Sequence, residues 1–131
     1  MTIDSSAVVA ILLGEPEAET LSEAIAAAAV REISAVSLLE VSIVLEARLG
    51  REAEDLVTAF MVDLRVGVIP FDETQARRAL VAWRQFGKGR HPAGLNLGDI
   101  CSYALAAERG SVLAYKGGDF AKTDCLRIGE E

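Results

Sequence analysis

Short apolar segments alternate with longer stretches of helical periodicity along almost the whole chain. The predicted strands cover residues 2–4, 32–36, 66–71 and 111–115, with a short edge strand at 125–128. The predicted helices cover residues 6–13, 17–30, 38–49, 52–64, 73–86 and 98–109. Strands separated by helices form parallel βαβ units, because a parallel neighbour needs a crossover connection. We therefore predict an α/β fold whose central parallel sheet of four to five strands is covered by helices on both faces.

The length and apolar content favour one domain. With 131 residues, 51% of them hydrophobic, the chain can close one core and is too short for two ordinary domains, so residues 1–131 are predicted as a single unit. Near the start, the apolar run 7–13 is shorter than a membrane span, closely follows Asp4 and has no basic segment ahead of it. We expect a cytoplasmic protein without a membrane segment.

Several reactive or aromatic side chains are expected to be structural. Cys101 and Cys125 are too far apart for a CxxC motif, and the single histidine, His91, argues against a zinc cluster. The two cysteines are therefore predicted as reduced thiols. Trp83 and Phe86 recur at helical spacing, which indicates core or interface positions rather than base-stacking ones.

The formal net charge of −7 argues against non-specific attraction to nucleic acid, which depends on Lys and Arg. The charge is uneven, however, since no acid occurs between Glu73 and Asp99. The basic residues in this stretch are Arg77, Arg78, Arg84, Lys88 and Arg90. Two interpretations stay open: a local anion site, or a solvated helix face followed by the polar loop 87–95.

Four acids occur at the ends of predicted elements. Asp4 closes the first strand, Asp119 follows the strand 111–115, and Glu40 and Asp99 lie near helix starts. In parallel sheets the ligand crevice lies beyond the carboxyl ends of the strands, where these acids would converge. Each also has a structural interpretation. Asp4 and Asp119 can cap a following turn, and Ser37-x-x-Glu40 and Asn96-x-x-Asp99 have the spacing of capping boxes.

The helical wheel favours a second role beside capping. Glu40 shares a face with Ile43 and Val44, and Asp99 shares one with Tyr103 and Ala106. A carboxylate on a core-facing arc needs a partner, because burying an isolated charge is costly.

Converging carboxylates repel one another unless a hard cation lies among them, and Mg²⁺ or Mn²⁺ prefers such oxygen ligands. The pattern therefore predicts a metal site. Lys116, the nearest cation to Asp119, could balance the acids, touch a phosphate or be a plain surface lysine. Ser5 and Ser6 could bond a metal-bound water or Asp4, although helix capping is the simpler role.

The segments "IDSSAVVAILLGEPEAE", "SLLEVSIVL", "LNLGDICSYALA" and "LAYKGGDF", in this order and over nearly the whole chain, resemble the PIN domains of VapC toxins. The resemblance implies a PIN-like α/β/α sandwich and a Mg²⁺- or Mn²⁺-dependent endoribonuclease. It also implies a homodimer and inhibition by a cognate VapB antitoxin.

Carried over motif by motif, the acids of the site are Asp4, Glu40, Asp99 and Asp119, which would hold the metal ion. Ser6 matches the small hydroxyl residue of the opening motif, and Asn96 matches a polar position ahead of the third acid. Lys116 is a further supporting candidate, and Arg84, Lys88 and Arg90 are expected to guide RNA. Where many relatives have another acid or amide, this chain has Gly118, which leaves one or two metal ions open.

Three other functions compete. A receiver domain would bind Mg²⁺ at strand-end acids and accept a phosphoryl group, but its mid-chain phosphoacceptor would have to be Glu40, a glutamate in a helical pattern. A catalytically silent PIN-like binding module and a DNA nuclease are the others.

The antitoxin is expected to pack an apolar segment on the first helices, within residues 5–30, and to reach the acids with an Arg or Lys. A fully buried first helix is the alternative.

Overall fold

A computed structural model describes residues 1–130. Its strands are β1 (Thr2–Ile3), β2 (Glu32–Ser34), β3 (Gly67–Ile69) and β4 (Leu113–Ala114). Its helices are α1 (Ser5–Leu12), α2 (Ala18–Ala27), α3 (Ala35–Leu49), α4 (Ala53–Asp63), α5 (Glu73–Phe86) and α6 (Leu97–Arg109), followed by a 3₁₀ turn at Phe120–Lys122. The predicted alternation of strands and helices is confirmed.

The four strands form one parallel sheet in the order β3-β2-β1-β4. Two hydrophobic clusters cover it. The first joins β1 and β2 to the first four helices, and the second joins β4 to α5 and α6. Successive strand residues point to opposite faces, so Leu113 packs in the second cluster and Ala114 in the first. The predicted α/β architecture, with helices on both faces of a parallel sheet, is therefore confirmed.

Several boundary predictions are wrong, among them the last strand and the end of α2. Residues 125–128 form no strand, because only one backbone hydrogen bond, from Leu113 N–H to the Leu126 carbonyl at 2.9 Å, ties this segment to the sheet. α2 ends at Ala27 rather than near residue 30, where the chain turns toward β2. Among residues 1–130, no helix combines the length and the apolar content that crossing a membrane requires.

α3 begins three residues earlier than predicted, with Ser34 as its cap. The proposed Ser37–Glu40 capping box is therefore wrong, since Ser37 lies inside the first turn. The buried stripe of α3 is Ser37, Val41 and Leu45. Ile43 is exposed, so Glu40 does not share the core-facing arc predicted for it.

Candidate active site

Asp4 joins β1 to α1 and is almost completely buried. Its Oδ2 accepts hydrogen bonds from the Ser6 backbone N–H at 3.0 Å and the Ser6 hydroxyl at 2.6 Å. Its Oδ1 accepts one from the Ser102 hydroxyl, also at 2.6 Å. These three donors offset the cost of placing a charge out of water. Asp4 therefore caps α1, as its structural interpretation predicted, and Ser6 supports it instead of capping the helix itself.

The Glu40 carboxylate lies between two helix starts. The Ser5 hydroxyl donates to its Oε1 from the first residue of α1. On the other side, a Cβ added to Gly98 in α6 would lie only 2.5 Å from Glu40 Oε2. Because Ser5 follows Asp4 and Gly98 precedes Asp99, Glu40 is adjacent to both of these acids.

Asp99 occupies the third position of α6 in a capping box, and this prediction is confirmed. The Asn96 side chain accepts from the Asp99 N–H at 2.9 Å, and Asp99 Oδ2 accepts from the Asn96 N–H at 3.1 Å. The pKa of Asp99 is raised to about 6. Burial is the largest cause, the charges of Asp4, Glu40 and Asp119 add to it, and the hydrogen bond from Asn96 opposes it. The other three predicted acids are thus all within electrostatic reach of Asp99.

Asp119 is exposed and precedes the 3₁₀ turn without making a side-chain cap bond to it. The segment leading to it is tied to α1, since the Lys116 backbone N–H donates to the Ser6 hydroxyl at 3.0 Å. The Lys116 ammonium pairs instead with Glu15, and it lies 3.6 Å from Glu17. Its charge is directed to these two acids and not to the four-acid site.

Sequence reasoning missed one residue at this site. Ser102 lies within an apolar helical run, is completely buried and donates to Asp4 across 98 positions of sequence. Ser37, which the sequence placed in a capping box, lies 2.9 Å from it, hydroxyl to hydroxyl. The local signal for it was a serine on the core-facing side of α6, four positions before Ala106, because a buried hydroxyl needs a hydrogen-bond partner.

The donor set suits a hard divalent cation, because Asp4, Glu40, Asp99 and Asp119 supply only carboxylate oxygens. Within residues 1–130, however, no three His, Cys, Asp or Glu side chains stand close enough to form a finished ligand set. Repulsion between carboxylates keeps such groups apart when no cation lies between them. The four acids therefore fit Mg²⁺ or Mn²⁺ in the chemistry of their donor atoms.

The last two residues of the basic stretch, Lys88 and Arg90, lie on an ordered loop ahead of α6, whereas Arg77, Arg78 and Arg84 lie on α5. Backbone hydrogen bonds between Lys88 and Leu95 and between Leu95 and Phe86 close this loop. Lys88 and Asn96 line the same groove, with a volume of about 550 Å³. The stretch therefore adjoins the cap of Asp99.

The two aromatic residues ahead of this loop differ in their surroundings. Phe86 packs edge-on against His91 and Tyr103 in the second cluster, as a core residue should. Trp83 is 37% exposed, and the Arg90 guanidinium lies 4.6 Å from the centre of its ring. Trp83 is therefore not a core residue.

A family model described as "PIN domain" matches residues 1–126. The chain belongs to the PIN-domain family. Within it, this PIN domain is 46% identical over 128 residues to a "Ribonuclease VapC" of Mycolicibacterium smegmatis, covering 98% of this chain and 99% of that protein. It is 43% identical to "Ribonuclease VapC30" of Mycobacterium tuberculosis, with 98% of each covered. These relatives place the chain in the VapC group and confirm the resemblance.

The PIN-like fold is also confirmed by a solved structure. The Mycobacterium tuberculosis toxin VapC20, whose title describes it as cleaving the sarcin–ricin loop, superposes with a TM-score of 0.78 over 97% of both chains. Only 20% of the aligned residues are identical, so this comparison concerns the fold.

Gly98→Ala tests whether the space beside Asp99 is needed by Glu40. The new methyl group would overlap the Glu40 carboxylate, which is the flexible end of a side chain, so we expect the fold to persist and Glu40 to be displaced. RNA cleavage by the PIN domain should fall at least about 10-fold, the lower range for disturbing a group around a metal site. Gly67→Ala is the matched control, because its Cβ meets only the Arg31 carbonyl at 3.7 Å. Equal cleavage by the two variants would contradict this placement of Glu40.

Proposed function

We propose that this PIN domain is a cytoplasmic, metal-dependent endoribonuclease and the toxin of a type II toxin–antitoxin pair. It would cleave RNA phosphodiester bonds at Asp4, Glu40, Asp99 and Asp119. One observation carries the proposal: the Glu40 carboxylate lies against Gly98, next to Asp99, and bonds Ser5, next to Asp4. The names of the relatives, which describe ribonucleases, support RNA as the substrate.

The four acids would hold Mg²⁺ or Mn²⁺. Such an ion supplies an activated water and neutralises charge on the phosphate and the leaving oxygen. The chain's own contribution is positioning: three hydrogen bonds orient Asp4, the capping box orients Asp99, and Ser5 orients Glu40. Asp119 is exposed and lies between β4 and the 3₁₀ turn.

Two of the three competing functions, the receiver domain and the silent binding module, are disfavoured. A receiver domain needs a phosphoacceptor at a mid-chain strand end, whereas Glu40 lies in the second turn of α3. A silent binding module has no need for four mutually repelling carboxylates, which cost stability unless they serve a ligand.

Asp99→Asn tests the catalytic role directly. The amide keeps the volume and the acceptor for the Asn96 N–H while removing the charge, so the fold should persist. We expect cleavage of an RNA panel in Mn²⁺ to fall by at least roughly 100-fold, the upper end of what loss of a supporting group costs at a metal site. Asp124→Asn is a matched control, because Asp124 bonds Tyr103 and not the four acids. Undiminished cleavage by Asp99→Asn would remove Asp99 from the mechanism.

The same variant should be more stable than the wild type without metal. Because the folded-state pKa of Asp99 is raised from 3.8 to about 6, its contribution to stability is lost as the pH rises from about 4 to about 6. At pH 7, the free energy of unfolding of Asp99→Asn should therefore exceed that of the wild type by roughly 1 kcal/mol, a value reduced because Asp99 is partly exposed to solvent. Below about pH 4 the two proteins should differ little. Urea unfolding in a chelator measures this, and a less stable variant at pH 7 would contradict the placement of Asp99 among like charges.

We further propose that the basic loop guides RNA to the acids. An acidic protein repels a polyanion, so approach requires a local positive surface. Lys88 and Arg90 are exposed on the ordered loop, and Arg84 lies on the adjoining turn of α5. Lys88 also shares its groove with Asn96, the residue that caps Asp99. The loop would supply affinity rather than chemistry.

Replacing both Lys88 and Arg90 with Ala should weaken RNA binding and flatten its salt dependence by roughly one to two in slope, since two phosphate contacts are lost. A double Arg48→Ala, Arg51→Ala variant is the control, because it removes the same charge at the C-terminal end of α3. Binding is measured over a salt series with an inactive Asp99→Asn background. If the two double variants shared one salt slope, the loop would be only a solvated surface.

Exposed apolar surface bears on where a partner protein would bind. Within residues 5–30, Val9, Ile11 and Leu12 of α1 are only partly buried and Val30 is 60% exposed, so the first helix is not fully buried. Leu39 and Ile43 of α3 and Leu97 of α6 offer more apolar surface, being 60%, 59% and 76% exposed. They line a groove of about 350 Å³ that also contains Glu40. We propose that the apolar segment of a VapB-like antitoxin packs there and directs an Arg at Glu40, since guanidinium pairs bidentately with carboxylates.

Ile43→Ser should weaken the complex with a co-expressed antitoxin by at least about 10-fold, because it removes exposed apolar area from the groove. Val62→Ser on α4 is the control, with a similar exposed side chain at 67%. Titration calorimetry gives the affinities, and equal values would exclude the groove. If instead the purified chain alone were a dimer that Ile43→Ser dissociates, the groove would be the interface of the homodimer that the VapC resemblance implies.

A further inference from the structure

Two completely buried serines connect α3 and α6 behind Asp4. The Ser102 hydroxyl donates to Asp4 Oδ1 at 2.6 Å, and the Ser37 hydroxyl lies 2.9 Å from that of Ser102. A hydroxyl has one proton, and the proton of Ser102 is directed at Asp4. Ser37 must therefore donate to Ser102, so the chain of donors runs from Ser37 to Ser102 to Asp4.

The hydrogen bonds of Asp4 limit what else it can bind. An ionised carboxylate has about four lone-pair positions, two on each oxygen. Both positions of Oδ2 are filled by Ser6, through its N–H and its hydroxyl. One position of Oδ1 is filled by Ser102. A single acceptor position on Oδ1 is left for a cation.

We propose that Ser102 is a positioning residue that makes Asp4 a one-oxygen ligand with a fixed direction, and that Ser37 keeps the Ser102 hydroxyl pointed at Asp4. This inference rests on the proposed function, because it needs a cation at the four acids. Without Ser102, Oδ1 gains a second open position and the carboxylate can rotate away from its orientation. Supporting hydrogen bonds of this kind set the affinity of metal sites.

The test is Mn²⁺ affinity, measured on the metal-free protein by electron paramagnetic resonance of the free ion. We expect Ser102→Ala to bind Mn²⁺ roughly 10- to 100-fold more weakly than the wild type. Ser37→Ala should show a smaller loss, since Ser102 remains as a donor to Asp4. Ser42→Ala is the matched control, because the Ser42 hydroxyl donates only to the Leu38 carbonyl within α3. Urea unfolding of each variant in a chelator reports stability separately from affinity.

Ser102→Ala that loses stability but keeps wild-type Mn²⁺ affinity would overturn the inference, since it would leave Ser102 only a structural role. If Ser102→Ala does not fold, Ser37→Ala and Ser102→Thr decide. The inference is supported if Ser37→Ala binds Mn²⁺ more weakly while Ser102→Thr, which keeps a hydroxyl, retains the wild-type affinity. Unchanged binding by Ser37→Ala overturns it. A wild type that binds no Mn²⁺ and cleaves no RNA would overturn the proposed function itself, which is a distinct outcome.

Discussion

The charge of Asp4 is buried at the point where four elements of the fold meet. Its three hydrogen-bond donors, two from Ser6 and one from Ser102, offset the cost of removing a carboxylate from water and tie α1 and α6 to the end of β1. Ser6 fixes the start of α1 and receives the Lys116 N–H from the segment after β4. Ser102 brings α6 against the sheet. The network that stabilises the fold at this end is thus the one that orients the first acid of the site.

Around this fixed charge, the other acids are arranged at a cost in stability. The raised pKa of Asp99, caused first by burial and then by its three acidic neighbours, is a direct sign of that cost. A packed core has no need for such a cluster, and Asn at this position would serve the cap equally well. The same side chain thus has unfavourable electrostatics and a favourable capping role. Capping alone therefore does not explain why residue 99 is an acid rather than an amide.

Much of this arrangement could be predicted from local sequence. The strand–helix alternation and the Asn96–Asp99 capping box depend on neighbouring residues and are found where expected, and β1 and β4 each end within one residue of the prediction. Glu40 lies beside the neighbours of Asp4 and Asp99, but not on the face of α3 predicted for it. The wheel counts Ile43 as core because it is apolar, whereas the helix buries Ser37 instead. Ser102 was missed because its partner is distant in sequence, and no local pattern reports a tertiary hydrogen bond.

The four acids differ in how firmly they are held. Asp4 is buried with three donors, Asp99 and Glu40 are half-buried with fewer, and Asp119 is exposed beside Gly118, without a cap bond to the turn it precedes. A cation site needs some freedom, because carboxylates that repel in its absence must approach one another when it binds. Among the four acids, Asp119 is the most exposed and has no cap bond to hold it. Under the proposed function, Asp4 would therefore set the position of the site, and Asp119 would be the ligand left free to adjust to it.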